Sequence, residues 1–80
     1  MTNVTIRIAD SGDAFAVRRL AVTDSADPLT GSVLLAEVDN ELWAALSLDT
    51  GAAVADPFRP SAEAVELLRL HAGHLAAQAA

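Results

Sequence analysis

The chain contains no cysteine and no lysine, few aromatic residues and no long hydrophobic run. Without cysteine there is no disulfide framework, no thiolate chemistry and no cysteine-based zinc site. Five basic residues, all arginine, stand against eleven acidic ones, for a net charge of −6. Nucleic acid and an anionic membrane surface are therefore not expected as partners, because neutralising phosphate needs a clustered basic face. No apolar run approaches the ~20 residues that span a bilayer, and Met1-Thr2-Asn3-Val4 has neither the charged nor the apolar region of a signal peptide. A cytoplasmic protein is the expectation. With aromatics at 4%, the core must be built from Leu, Val, Ile and much Ala. A chain this short buries roughly 60–65% of its unfolded surface, and alanine contributes little area. Further burial through self-association is expected to help hold the fold.

What is present is a clear succession of short elements. Residues 4–8 alternate, with Val4, Ile6 and Ile8 on one face and Thr5 and Arg7 on the other, the pattern of a half-buried strand. Asp10-Ser11-Gly12-Asp13 then predicts a helix over 12–23, with Ser11 as N-cap, Asp13 in the first turn and Ala14, Val17, Leu20 and Ala21 facing inward. Arg18 and Arg19 read as its solvated side. Pro28 and Gly31 punctuate a loop over 23–32. A second strand spans Val33–Val38, and Asp39-Asn40 suits a primed hairpin turn, since both residues tolerate positive φ. The third strand, Leu42–Leu48, is expected to place Leu42, Ala44, Leu46 and Leu48 on one face and Trp43, Ala45 and Ser47 on the other. Asp49-Thr50-Gly51 turns the chain into a short apolar strand over Ala52–Ala55, which Asp56-Pro57 ends. The last helix starts at Ser61 as N-cap, with Glu63 in its first turn. Ala64, Val65, Leu68, Ala72 and Leu75 form its main apolar stripe, with Leu67, Leu70 and His74 as a second stripe beside it. Gly73 costs about 1 kcal/mol relative to alanine inside a helix, and the tail at 76–80 is expected to fray.

The order β-α-β-β-β-α predicts a single α+β domain over residues 1–80. Its sheet should be four-stranded and mostly antiparallel, with a helix packed on each face. Taken with the closing stretch Ala55-Asp56-Pro57-Phe58-Arg59-Pro60-Ser61-Ala62-Glu63-Ala64-Val65-Glu66-Leu67-Leu68, this order resembles the amino-terminal half of the GNAT N-acetyltransferases. In that family a fourth strand leads through a loop of the approximate form V-x-P-x-x-R-G-x-G-x-G/A-x-x-L-L into a helix whose amino end holds the coenzyme A pyrophosphate. Pro57, the aromatic Phe58, Arg59 and the Leu67-Leu68 pair match once a single residue is deleted from the loop. TIRIAD, the helix opened by Asp13-Ala14 and the VLLAEVDNELWAALSL hairpin fit the earlier landmarks. The resemblance covers nearly all of these residues and about half of a complete acetyltransferase domain, which continues with a fifth strand that admits the pantetheine arm.

The loop departs from the family where the chemistry is done. An anion at a helix amino end needs free backbone N–H groups and backbone bare enough to approach. By this alignment Pro60, Ala62 and Ala64 stand at the three glycine positions. Pro60 removes a donor, the two alanines add methyl groups, and Glu63 adds a repelling charge. Arg59, between Asp56 and Glu63, reads as a solvated turn residue. His71 and His74 have a spacing that permits a shared metal, but no carboxylate follows at the next turn and they read as surface residues. Ser11, Ser47 and Ser61 have no histidine at motif spacing, so no nucleophilic constellation is expected. Glu37 and Glu41 read as a solvent-facing pair beside a tight turn, although a carboxylate on these strands serves as general base in some GNAT-like enzymes. Trp43 reads as packed under a helix. The expectation is a non-catalytic half-domain with no cofactor and no metal. It would act as a homodimer or on another protein through Ala53, Val54, Ala55, Leu67, Leu70 and His74. The alternative that the resemblance implies is an N-acyltransferase whose acetyl-CoA site is completed by a second subunit.

Overall fold

A computed structural model of the chain describes residues 3–79, with side chains through residue 75. Strand β1 (Val4–Ile8) leads through a 3-10 turn (Ser11–Asp13) into helix α1 (Ala14–Thr23). Strands β2 (Val33–Val38), β3 (Glu41–Ser47) and β4 (Ala53–Ala55) follow, and helix α2 (Ala62–Ala79) comes last. The strands form one four-stranded sheet in the order β1-β2-β3-β4, antiparallel at every pairing. The protein is thus a small α+β domain with a four-stranded antiparallel sheet and two helices.

Strand alternation divides the apolar side chains between the two faces. Val33, Leu35, Ala45 and Val54 pack with Val17, Leu20 and Ala21 of α1. Leu34, Ala36, Ala44 and Leu46 pack with Ala64 and Leu68 of α2. The sheet is therefore covered on both sides, and Leu68 is fully buried. Along β1 only Ile6 packs into the α2 side, whereas Val4 and Ile8 stay 41% and 50% exposed at the edge. The α2 helix continues through Gly73 to Ala79. The fraying expected of residues 76–80 concerns side chains outside those described, and Ala80 lies outside altogether.

Three local features depart from the sequence reading. The cap before α1 is Asp10, not Ser11. The Gly12 N–H donates to Asp10 Oδ1 at 2.8 Å and the Asp10 N–H donates to Asp13 Oδ2 at 2.8 Å, a reciprocal box that tightens the start into a 3-10 turn. As a result α1 begins at Ala14, whose side chain is exposed and not inward. The third departure lies in β3. Asp39 and Asn40 have φ of 52° and 69°, as a primed turn requires, and Val38 pairs with Glu41 and Glu37 with Leu42. The next pair is Ala36 with Ala44, so Trp43 is the extra residue of a β-bulge. The bulge sends Leu42 to the α1 side, against Val17 and its neighbours, while Trp43 and Ala44 both face α2. The expected faces of Leu42 and Trp43 are thereby exchanged.

Candidate functional site

The strand–loop–helix at residues 53–68 is where the sequence places the candidate chemistry, and the loop between the strand and the helix is closed on itself. Asp56 organises the loop: its Oδ1 accepts the Phe58 N–H at 2.9 Å, and its carbonyl accepts the Arg59 N–H at 3.3 Å. The Ser61 N–H donates to the Arg59 carbonyl at 2.8 Å. Ser61 stands at the cap position, its carbonyl accepting the Val65 N–H at 3.0 Å. Its hydroxyl, however, turns back as a donor shared between the carbonyls of Asp56 (2.6 Å) and Arg59 (3.0 Å). A serine expected to cap a helix instead ties the loop shut, which explains why it is 4% exposed. The N–H groups of Phe58, Arg59 and Ser61 are all occupied, and Pro60 has none.

Arg59 is exposed, as the sequence suggests, but it is not without partners. Its guanidinium pairs with Glu41 and, at 3.4 Å, with Asp56, and lies 5.4 Å from the centre of the Trp43 ring. It clamps the loop to the β2–β3 hairpin through charge and through the indole face. Beneath it Val4, Val38, Trp43, Pro60, Ala64 and Leu67 line a hollow of about 70 Å³. Trp43 Nε1 is buried without a hydrogen-bond partner among the described residues.

Glu37 and Glu41 do not act as a pair. Glu41 belongs to the Arg59 clamp, whereas Glu37 accepts from Arg7 Nε at 2.7 Å. Arg7 also donates both terminal nitrogens to Asp13, at 2.7 and 2.8 Å. This bidentate contact, helped by the Asp10 N–H, holds the Asp13 carboxyl well below the usual carboxylate range. The cluster joins β1, β2 and the start of α1. Sequence reading gave Arg7 no role; the signal available was a lone arginine on a strand face six residues before Asp13.

The edge of β4 carries a second surprise. Val54 points under α1 and is 1% exposed, so its side chain is not at the surface. In an antiparallel ladder the flanking residues Ala53 and Ala55 direct their N–H and C=O groups away from β3. The outward Ala55 N–H is taken by Asp24 Oδ2 at 3.1 Å, from the residue that ends α1. On α2, Leu67 and Leu70 are 42% and 71% exposed, and His71 and His74 are also exposed. No group of three or more potential metal ligands comes together among the described residues. Ser47 is buried, donating to the Thr30 carbonyl at 2.7 Å and accepting the Thr50 N–H at 3.2 Å, so its hydroxyl is engaged in holding two loops.

At the opposite end of the sheet a cleft of about 460 Å³ opens between the first half of α1, the end of β1 and the 28–33 loop. No helix among the described residues is long and apolar enough to cross a membrane. Set against family models, curated proteins and solved structures, the chain has no significant match.

Proposed function

We propose that the chain is a non-catalytic GNAT-like half-domain that acts by pairing with a second copy of itself through α2. The reading joins the family resemblance of the sequence to the β1-β2-β3-β4 antiparallel order with a helix on each face. Coenzyme A is disfavoured because a pyrophosphate would find the loop N–H groups of Phe58, Arg59 and Ser61 already engaged, Arg59 neutralised by two carboxylates and the Glu63 carboxylate in the first turn of α2. The observation that carries the pairing is the apolar strip on α2. Leu70 and Leu67 stand one turn apart, exposed, and Leu67 runs into the hollow lined by Val4, Val38 and Trp43. An apolar knob from a second copy suits such a hollow.

Two measurements test this reading. Sedimentation equilibrium across the micromolar range should give a dimer, and Leu70→Glu should give a monomer with an unchanged fold by circular dichroism. A wild-type monomer at every concentration overturns the pairing. Calorimetry with acetyl-CoA should show no dissociation constant below about 1 mM, equivalent to about −4 kcal/mol. Saturable micromolar binding overturns the non-catalytic reading and restores the acyltransferase.

A further inference from the structure

Arg18 is the one arginine without a partner among the described residues. Arg7 and Arg59 are held by carboxylates, Arg19 lies 5.9 Å from the Phe15 ring, and Arg69 donates to the Gly51 carbonyl. In a chain of net charge −6 an unmatched cation stands out. Arg18 lines the 460 Å³ cleft, whose walls include Ile8, Ala9, Val17, Leu29 and Val33. That volume lies within the ~300–1,000 Å³ of small-molecule sites, and a largely apolar lining with a few charged groups is their usual chemistry; here the charged groups are Arg18 and the Asp10 carboxylate.

The walls are fixed. The loop side is pinned by the buried Ser47 hydroxyl on the Thr30 carbonyl at 2.7 Å and by the Leu48 N–H on the Ser32 carbonyl at 2.8 Å. On the strand side the Ala9 N–H donates to the Val33 carbonyl at 2.8 Å. Of the acids nearby, Asp10 is engaged by the Gly12 N–H and Asp13 by Arg7. A second cation does not line the cleft, so the charge to be matched is a single negative one. A phosphate dianion would ask for more donors than one guanidinium supplies, and the Asp10 carboxylate in the lining repels it about twice as strongly as it repels a monoanion.

We propose that this cleft binds a small monocarboxylate with an apolar body, its carboxylate on Arg18 and its hydrocarbon against Ile8, Ala9, Val17, Leu29 and Val33. The site lies at the end of the sheet away from the Asp56–Ser61 loop, and it does not depend on the dimer.

Sodium octanoate is the probe, followed by amide chemical shifts and calorimetry on the whole chain, with octanamide as the uncharged match and inorganic phosphate as the anion without a tail. Octanoate should saturate with a dissociation constant below about 1 mM and shift the amides of Ile8, Ala9, Leu29 and Val33. Octanamide and phosphate should each bind at least about tenfold more weakly. Arg18→Gln should weaken octanoate about tenfold without moving the melting temperature, and Ala14→Phe, which adds a ring at the exposed cleft wall, should block it. Equal binding of octanoate and octanamide, or an Arg18→Gln chain that binds as the wild type does, overturns the proposal. So does the absence of saturation by octanoate.

Discussion

Replacing Leu68 and Leu70 by alanine, one at a time, removes the same atoms from the same helix two residues apart. Leu68 is 0% exposed and Leu70 is 71% exposed. Leu68 packs among Leu34, Ala36, Ala44, Leu46 and Ala64. Three of these five neighbours are alanines with no side chain able to swing into a vacated space, so the cavity left by Leu68→Ala stays open. The cost should fall in the upper half of the Leu→Ala range, about 3–5 kcal/mol. A domain of this size has a total stability of about 4–12 kcal/mol, and each kcal/mol shifts its midpoint by about 4–8 °C. Leu68→Ala should therefore melt at least about 12 °C lower. Leu70→Ala loses little buried area and gains slightly in helix propensity, so it should stay within about 0.5 kcal/mol of wild type. The assay is thermal and urea denaturation by circular dichroism at sub-micromolar protein, where association contributes least. A Leu68→Ala midpoint within about 4 °C of wild type would mean that α2 packs through another face. Equal losses at both positions would refute the assignment as well.

Acid should act through Asp13, whose carboxyl is held below its ordinary value chiefly by Arg7 and secondly by the Asp10 N–H. A group whose folded value is depressed contributes stability above its unfolded value, about 3.9 for aspartate, and that contribution declines as pH falls toward the folded value. Urea midpoints between pH 5 and pH 2 should therefore fall less steeply for Asp13→Asn, and an unchanged slope would remove Asp13 from the account. At Gly31, where φ is +73°, an added Cβ would meet the Asp49 carboxylate at 1.6 Å, whereas Gly51 at φ +78° has open space around it. Gly51→Ala should cost the left-handed penalty of about 1–2 kcal/mol. Gly31→Ala should cost more by urea denaturation and fall toward the Gly51 level when Asp49 is also replaced by alanine, which leaves only the Asp49 Cβ at 3.1 Å. Because Asp24 accepts the Ala55 N–H, that amide should be protected in hydrogen exchange and lose its protection in Asp24→Ala. Rapid exchange at Ala55 in the wild type would show that the bond is not kept in solution.

The elements themselves were legible because each is bounded by local chemistry. Asp39-Asn40 between two apolar runs predicts the hairpin, and both residues have positive φ. Asp56-Pro57 predicts the end of β4, and the Leu68 stripe predicts the buried face of α2. What was not legible depends on contacts between elements distant in sequence. Strict alternation cannot reveal that Trp43 is an unpaired residue of β3, because the bulge is defined by the partner strand. Capping statistics favour Ser61 as an acceptor, but its hydroxyl finds two loop carbonyls within reach and donates. The polar residues fared worst. Arg59, Glu37 and Glu41 read as solvated from their neighbours in sequence and Arg7 was given no role, yet each is in an ion pair, and Glu37 and Arg7 meet across 30 residues of chain.

The placement of Asp24 bears on how two copies can meet. A bare apolar edge on β4 would favour antiparallel pairing of the sheets, since unmatched N–H and C=O groups template another strand. The observed strand is three residues long. Its outward N–H at Ala55 already has a carboxylate, and its central side chain, Val54, is buried under α1. Sheet continuation would displace a charged acceptor to gain one additional outward donor, Ala53, and the Asp24 carboxylate would then face a second copy of itself across the two-fold axis. Contact through α2 displaces no hydrogen bond of this kind, although Glu63 lines the same hollow as Leu67. Leu67 and Leu70 are exposed as they stand, and burying them on association is favourable at about 25 cal/mol per Å² of apolar surface. On the proposed pairing, helix contact is therefore favoured over continuation of the sheet through β4, where Asp24 places a negative charge.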